Sequence, residues 1–61
     1  MPVVIVKMLE GRTIEQKRGL VEAVTEAVME HTGAPAEAVD VIIEEHPRSN
    51  WAKAGKLYSE T

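Results

Sequence analysis

The sequence predicts an α/β fold: a single β-α-β unit with parallel strands and a short C-terminal hairpin, completed by oligomerisation. Three observations predict it. Two runs rich in β-branched residues, 3–9 and 39–44, flank a segment whose apolar residues recur at helical spacing. A capping pattern and a glycine stop bound that middle segment. The chain has only 61 residues, and a domain of this size buries only about 60% of its unfolded surface on folding alone.

The first run, Val3-Val4-Ile5-Val6-Lys7-Met8-Leu9, is nearly continuous in apolarity and reads as a strand buried on both faces. Glu10-Gly11-Arg12 breaks it. Thr13-Ile14-Glu15-Gln16 then opens a helix as a capping box, in which the threonine hydroxyl and the glutamine side chain satisfy free N–H groups. Leu20, Val21, Val24, Ala27 and Val28 mark its apolar face, with Glu22, Glu26 and Glu30 opposite. Gly33 stops the helix and Pro35 prevents its continuation. Val39-Asp40-Val41-Ile42-Ile43-Glu44 is the second strand, joined to the first by a right-handed crossover. Residues 46–56 read as a loop with a short hairpin. The whole, 1–61, is expected to form one domain.

Bulk properties narrow the function classes. A net charge of −3 lacks the basic face that nucleic acid demands. No apolar run approaches the roughly 20 residues of a membrane span, and no signal-peptide pattern is visible, so a cytoplasmic location is expected. With no cysteine there is neither a disulfide nor a thiolate metal site, and His31 and His46 alone do not make a zinc site. No metal or organic cofactor is expected. Phe is absent, and Trp51 and Tyr58 are the only Trp and Tyr, so large core anchors are scarce. Association between copies is the remaining route to a stable core.

Two residues point to chemistry. Pro2 follows the initiating methionine, whose removal would expose a secondary amine beside Val3 and Val4. Desolvation and a nearby cation both disfavour the ammonium form, leaving a neutral general base. Arg12 lies just before the helix N-terminus, where anions are favoured, and its guanidinium can clamp a carboxylate through two hydrogen bonds. Strand residues advance about 3.3 Å each, so Pro2 and Arg12 of one chain stand roughly 20–25 Å apart. If β-branched run 3–9 pairs antiparallel with its copy, each Pro2 approaches the partner's end that carries Arg12. His31 reads as a helix C-terminal residue favoured by the dipole, His46 as a loop residue before Pro47 within reach of a substrate. Glu44 and Glu45, neighbours on a strand, point to opposite faces and do not form a catalytic pair.

Met-Pro at the start, Leu9-Glu10-Gly11-Arg12-Thr13, Glu15-Gln16-Lys17, Ala34-Pro35 and Val41-Ile42-Ile43-Glu44, in this order and over nearly the whole chain, resemble the 4-oxalocrotonate tautomerase family. The resemblance implies a β-α-β chain assembled as a hexamer of three dimers. It implies an isomerase that interconverts enol and keto forms of 2-hydroxy dienoic or enol acids, with Pro2 as catalytic base and a small enol or keto acid as its partner. Arg12 becomes a carboxylate binder, and Trp51 the aromatic wall that family members usually build from phenylalanine. Asp40 stands where well-known members carry a second arginine. A carboxylate there would repel a substrate carboxylate and favour the protonated amine, which shifts the expected substrate from dicarboxylates toward a monocarboxylate such as phenylenolpyruvate. Arg48, or more weakly Lys7, would supply the missing cation. Lys53 stands where related dehalogenases carry a water-activating glutamate, which argues against dehalogenation. The alternative is a weakly active or non-catalytic subunit of a tautomerase-like oligomer.

Overall fold

The computed structural model describes residues 2–61; the expected removal of Met1 lies outside them. Strand β1 (Val3–Leu9) leads into helix α1 (Ile14–Thr32), a 3-10 turn at Ala36–Ala38, and strand β2 (Asp40–His46). A second 3-10 turn (Arg48–Asn50) precedes the short strands β3 (Ala52–Lys53) and β4 (Lys56–Leu57), and Tyr58–Glu60 forms a last 3-10 turn. β1 and β2 pair in parallel, from Val3 opposite Asp40 to Leu9 opposite His46. β3 and β4 pair antiparallel. The β-α-β unit and the C-terminal hairpin are thus both present.

Local chemistry sets the helix limits. The Thr13 hydroxyl accepts from the Gln16 N–H at 3.1 Å, and the Gln16 side-chain oxygen accepts from the Thr13 N–H at 3.0 Å. The capping box therefore forms as the sequence predicts. At the other end Gly33 adopts φ 79° and donates its N–H to the Met29 carbonyl, a left-handed cap that glycine reaches without a Cβ penalty. The half-buried stripe of α1 comprises Lys17, Leu20, Val21, Val24, Thr25, Val28 and Met29. Ala27, expected on that stripe, is exposed, because the stripe steps from Val24 and Thr25 to Val28 and Met29.

Period-two geometry gives the parallel pair two distinct faces. Val4, Val6 and Met8 share one with Val41, Ile43 and Glu45. There α1 packs, as the 2.7 Å bond from Lys17 Nζ to Glu45 Oε1 marks. The opposite face carries Val3, Ile5, Lys7 and Leu9 with Asp40, Ile42, Glu44 and His46. Val3 is 45%, Ile5 51% and Ile42 47% exposed. The expected burial of the first strand on both faces is therefore not met within one chain: one helix covers one face of two strands. No described residue is fully buried. The Cα radius of gyration is 14.4 Å, against about 10–11 Å for a compact domain of this length.

The second strand runs to His46 instead of ending at Glu44. Glu45 and His46 continue the ladder opposite Met8 and Leu9, and the Glu10 N–H extends it by donating to the His46 carbonyl at 3.0 Å. Val39 belongs to the exit of the preceding 3-10 turn. His46 is thus a strand residue and not the loop residue expected. Pro47, directly after it, favours an extended conformation at His46.

Candidate active site

The parallel register sorts the candidate residues to the two ends of the sheet. At the end where the strands begin, the Asp40 N–H donates to the Pro2 carbonyl at 3.0 Å, and Val3 lies opposite Asp40. Pro2 is half-buried and Asp40 exposed. These two positions are neighbours, as the sequence predicts. At the far end, where β1 and β2 finish, stand Arg12, His46, Arg48 and Trp51. Seven strand residues separate the two groups, a span of about 20 Å. No single chain brings Pro2 and Arg12 together, again as predicted.

Arg12 follows Gly11, whose φ of 125° turns the chain from β1 toward the helix. A cleft of about 280 Å³ opens there, lined by Met8, Arg12, Gln16, Lys17 and Leu20. Its floor is apolar and its rim carries two cations. Lys17 is already engaged by Glu45, which leaves the Arg12 guanidinium, with no ion pair at 4.0 Å or less among the described residues, as the cleft's available hydrogen-bond donor to an anion. A second cleft, of about 360 Å³, lies along Val21, Glu22, Thr25, Glu26, Met29 and Ala36. Two carboxylates on its lining make it unsuited to an acidic substrate.

The tail crosses the far end of the open sheet face. Trp51 meets the His46 ring with centroids 6.0 Å apart and planes at 64°. It meets Tyr58 at 6.4 Å and 46°, and the Tyr58 N–H donates to the Trp51 carbonyl at 2.8 Å. Trp51 is half-buried as a result. Arg48 opens the 3-10 turn before it and is exposed. It shares an end with Arg12, so within one chain it stands away from Pro2. Lys7 lies on the open face, 3.8 Å from Glu44 Oε1. Lys53 is exposed on β3. Glu44 and Glu45 point apart, the first toward Lys7 and His46 and the second toward Lys17 of α1.

Sequence reasoning missed two features: the pairing of Lys17 with Glu45 and the three-ring cluster of His46, Trp51 and Tyr58. The signal for His46 was present, since period-two alternation sets Glu44 and His46 on one face and Pro47 keeps the strand extended. Nothing local marks the contact with Trp51, which depends on the path of the tail.

Among the described residues no helix is long and apolar enough to cross a membrane. A family model described as tautomerase enzyme matches residues 2–60. The chain is 62% identical over 60 residues to 2-hydroxymuconate tautomerase of Bacillus subtilis (strain 168), covering 98% of this chain and 97% of the relative. Among solved structures it is similar to YwhB, a homologue of 4-oxalocrotonate tautomerase, with a TM-score of 0.95, 60% identity and 98% of each chain covered. It is also similar to a heterohexameric 4-oxalocrotonate tautomerase from Chloroflexus aurantiacus J-10-fl, with a TM-score of 0.93, 35% identity, and 98% and 97% of the two chains covered.

Proposed function

The chain belongs to the tautomerase family of isomerases, and from that premise we propose that it interconverts enol and keto forms of a small 2-hydroxy dienoic or enol acid, with Pro2 as its general base. The observation that carries this reading is the division of the site residues between the two ends of β1. Pro2 and Asp40 occupy one end and Arg12 and Trp51 the other. Antiparallel pairing of β1 with a second copy sets the Pro2 end of one subunit against the Arg12 end of its neighbour. The open apolar face of Val3, Ile5 and Ile42 supplies the surface for further association. The reading is a homo-oligomer, a hexamer built as three dimers, in the cytoplasm, and it fits the heterohexamer described for the Chloroflexus relative.

In the assembled site each residue has one task. With Met1 removed, the Pro2 amine is a secondary amine in an apolar setting, and in its neutral form it takes the hydroxyl proton of the enol acid. The same amine, now protonated, delivers a proton to a carbon of the conjugated system while the enol oxygen becomes a carbonyl, so the proton is conserved and no cofactor is consumed. Arg12 of the neighbouring subunit holds the substrate carboxylate in its planar fork and stabilises the negative charge that spreads through the conjugated system once the hydroxyl proton has left. Trp51, from the same subunit as Arg12, closes the site against water and so strengthens both effects.

Asp40 defines the substrate class within this reading. Its backbone is bonded to that of Pro2, so a second substrate carboxylate near the amine would meet a like charge. The enzyme therefore prefers a monocarboxylate such as phenylenolpyruvate over the dicarboxylate 2-hydroxymuconate. Arg48, exposed beside Trp51, supplies the second cation from the neighbouring subunit.

The test combines the N-terminal mass with rate against pH for wild type and Pro2→Ala, on both enol acids. Removal of Met1, and a loss in Pro2→Ala of at least about 100-fold in kcat/KM, are expected for a general base. An unchanged profile in Pro2→Ala would sink the proposed base. Faster turnover of 2-hydroxymuconate than of phenylenolpyruvate would sink the substrate assignment alone.

A further inference from the structure

His46 takes no part in the reaction just described, yet it is the side chain through which the sheet holds Trp51. The imidazole reaches the indole at 6.0 Å between centroids with the planes inclined at 64°, inside the range in which aromatic pairs attract. Tyr58 meets the indole at 6.4 Å. Trp51 thus contacts one ring from β2 and one from the tail. Of the three ring types, imidazole is the one whose charge responds to pH in the physiological range.

The surroundings of His46 respond to that charge. From its own strand, Glu44 Oε1 lies 3.9 Å from His46 Nε2. From β1, Lys7 Nζ lies 3.8 Å from the same Glu44 oxygen, so the carboxylate is shared between the two. The turn after β1 contributes only a backbone contact, the Glu10 N–H to the His46 carbonyl. From the tail, the Trp51 indole meets the imidazole and Tyr58 meets the indole. An imidazolium in this place is attracted by the Glu44 carboxylate. The 64° inclination of the two rings is an edge-to-face contact, whose strength depends on the charge of the imidazole. Both interactions change when the ring is neutral.

We propose that His46 is a positioning residue that fixes Trp51 over the site, and that its protonation tightens this aromatic wall against the substrate near neutral pH. The inference rests on the assignment of Trp51 as the wall. Substrate binding therefore strengthens as the pH falls from 8 to 6, while the proton transfer itself, carried by Pro2, follows its own profile. The signature is a KM that changes with the state of His46 and a kcat that does not.

Trp51 is the chain's only tryptophan, so tryptophan emission, excited selectively over Tyr58, reports the surroundings of this one residue, and the His46 variants assign the part due to the imidazole. The experiment follows Trp51 emission from pH 5 to 8, without substrate, in the assembled wild type and in His46→Phe, His46→Ala and His31→Gln. It then measures KM and kcat on phenylenolpyruvate at pH 6 and 8. Wild type and His31→Gln are expected to show one emission step, because a protonated imidazole quenches indole emission. His46→Phe keeps a ring beside Trp51 but loses the step, and its KM no longer varies with pH. His46→Ala loses the step and raises KM several-fold, with kcat changed less than twofold.

Superimposable emission profiles in wild type and His46→Phe would overturn the proposal, as would a wild-type KM in His46→Ala. The phenylalanine variant keeps the test alive if the alanine variant fails to assemble. An emission step that depends on His46, in a protein that turns over neither enol acid, supports the contact and counts against the reading of the site instead.

Discussion

The two faces of the β1–β2 pair are built from the same kinds of residue, yet the chain finishes only one of them. Under α1, Val4, Val6 and Met8 lie beside Val41 and Ile43, and a helix with both ends capped closes over them. On the other face Val3, Ile5 and Ile42 remain about half exposed. At the last rung there, opposite Leu9, His46 meets Trp51 of the tail. The covered face is half-buried by the chain's own helix. The open face carries apolar surface that a single chain leaves in water, which is unfavourable at about 25 cal/mol per Å². The contrast separates what local rules complete from what a second copy is proposed to complete, and each face can be broken alone.

The largest effect is expected on the open face. Ile5→Asp places a carboxylate in the middle of that surface, where burial against another subunit would strand a charge at a cost of several kcal/mol. The expected outcome is loss of the hexamer by sedimentation velocity, leaving no species larger than the dimer that β1 pairing builds, and a fall in tautomerase activity with it. A variant that sediments and turns over like wild type would show that the open face is not an assembly surface.

What was legible in the sequence follows the same division. The helix limits were, because Thr13, Gln16 and Gly33 act through bonds that span three or four residues. The neighbourhood of Pro2 and Asp40 was legible as well, since a strand, a helix and a second strand fix a parallel register, and the register brings both strand beginnings together. The last two residues of β2 were not. Glu45 and His46 are polar, and their place in the ladder is set by Met8 and Leu9 on another element. The ring cluster was least legible of all, because residues 46, 51 and 58 share no period. Their meeting depends on how two 3-10 turns and a hairpin fold back across one rung.

A smaller effect is expected on the covered face, at the helix end. Gly33→Ala forces an L side chain to a φ of 79°, although an added Cβ meets no atom within 4 Å. The cost is therefore one of backbone conformation alone, about 1 kcal/mol. Urea denaturation at fixed protein concentration should show this loss with an unchanged slope, and sedimentation should show wild-type assembly. Dissociation of the variant would mean that the two faces are not independent.

The smallest effect belongs to the hairpin that carries the tail back past Trp51. Ala52 pairs with Leu57 and Lys53 with Lys56, leaving Ala54 and Gly55 as a two-residue turn. Both turn residues have positive φ, 54° and 79°, which is the type I′ geometry that matches the twist of two antiparallel strands. Gly55 suits it, but Ala54 is an L residue with no side-chain hydrogen bond to compensate, and Lys53 opposite Lys56 sets like charges across the rung. The hairpin thus breaks two local rules, and the Trp51–Tyr58 pair at its open end offsets them. Ala54→Asn should remove the first conflict and stabilise the turn by about 0.5–1 kcal/mol. Amide exchange at Tyr58, whose N–H is bonded to the Trp51 carbonyl, should slow by about two- to fivefold if it proceeds through local opening of the hairpin. An unchanged rate would mean that the turn carries no strain, and that the rings alone decide where the tail lies.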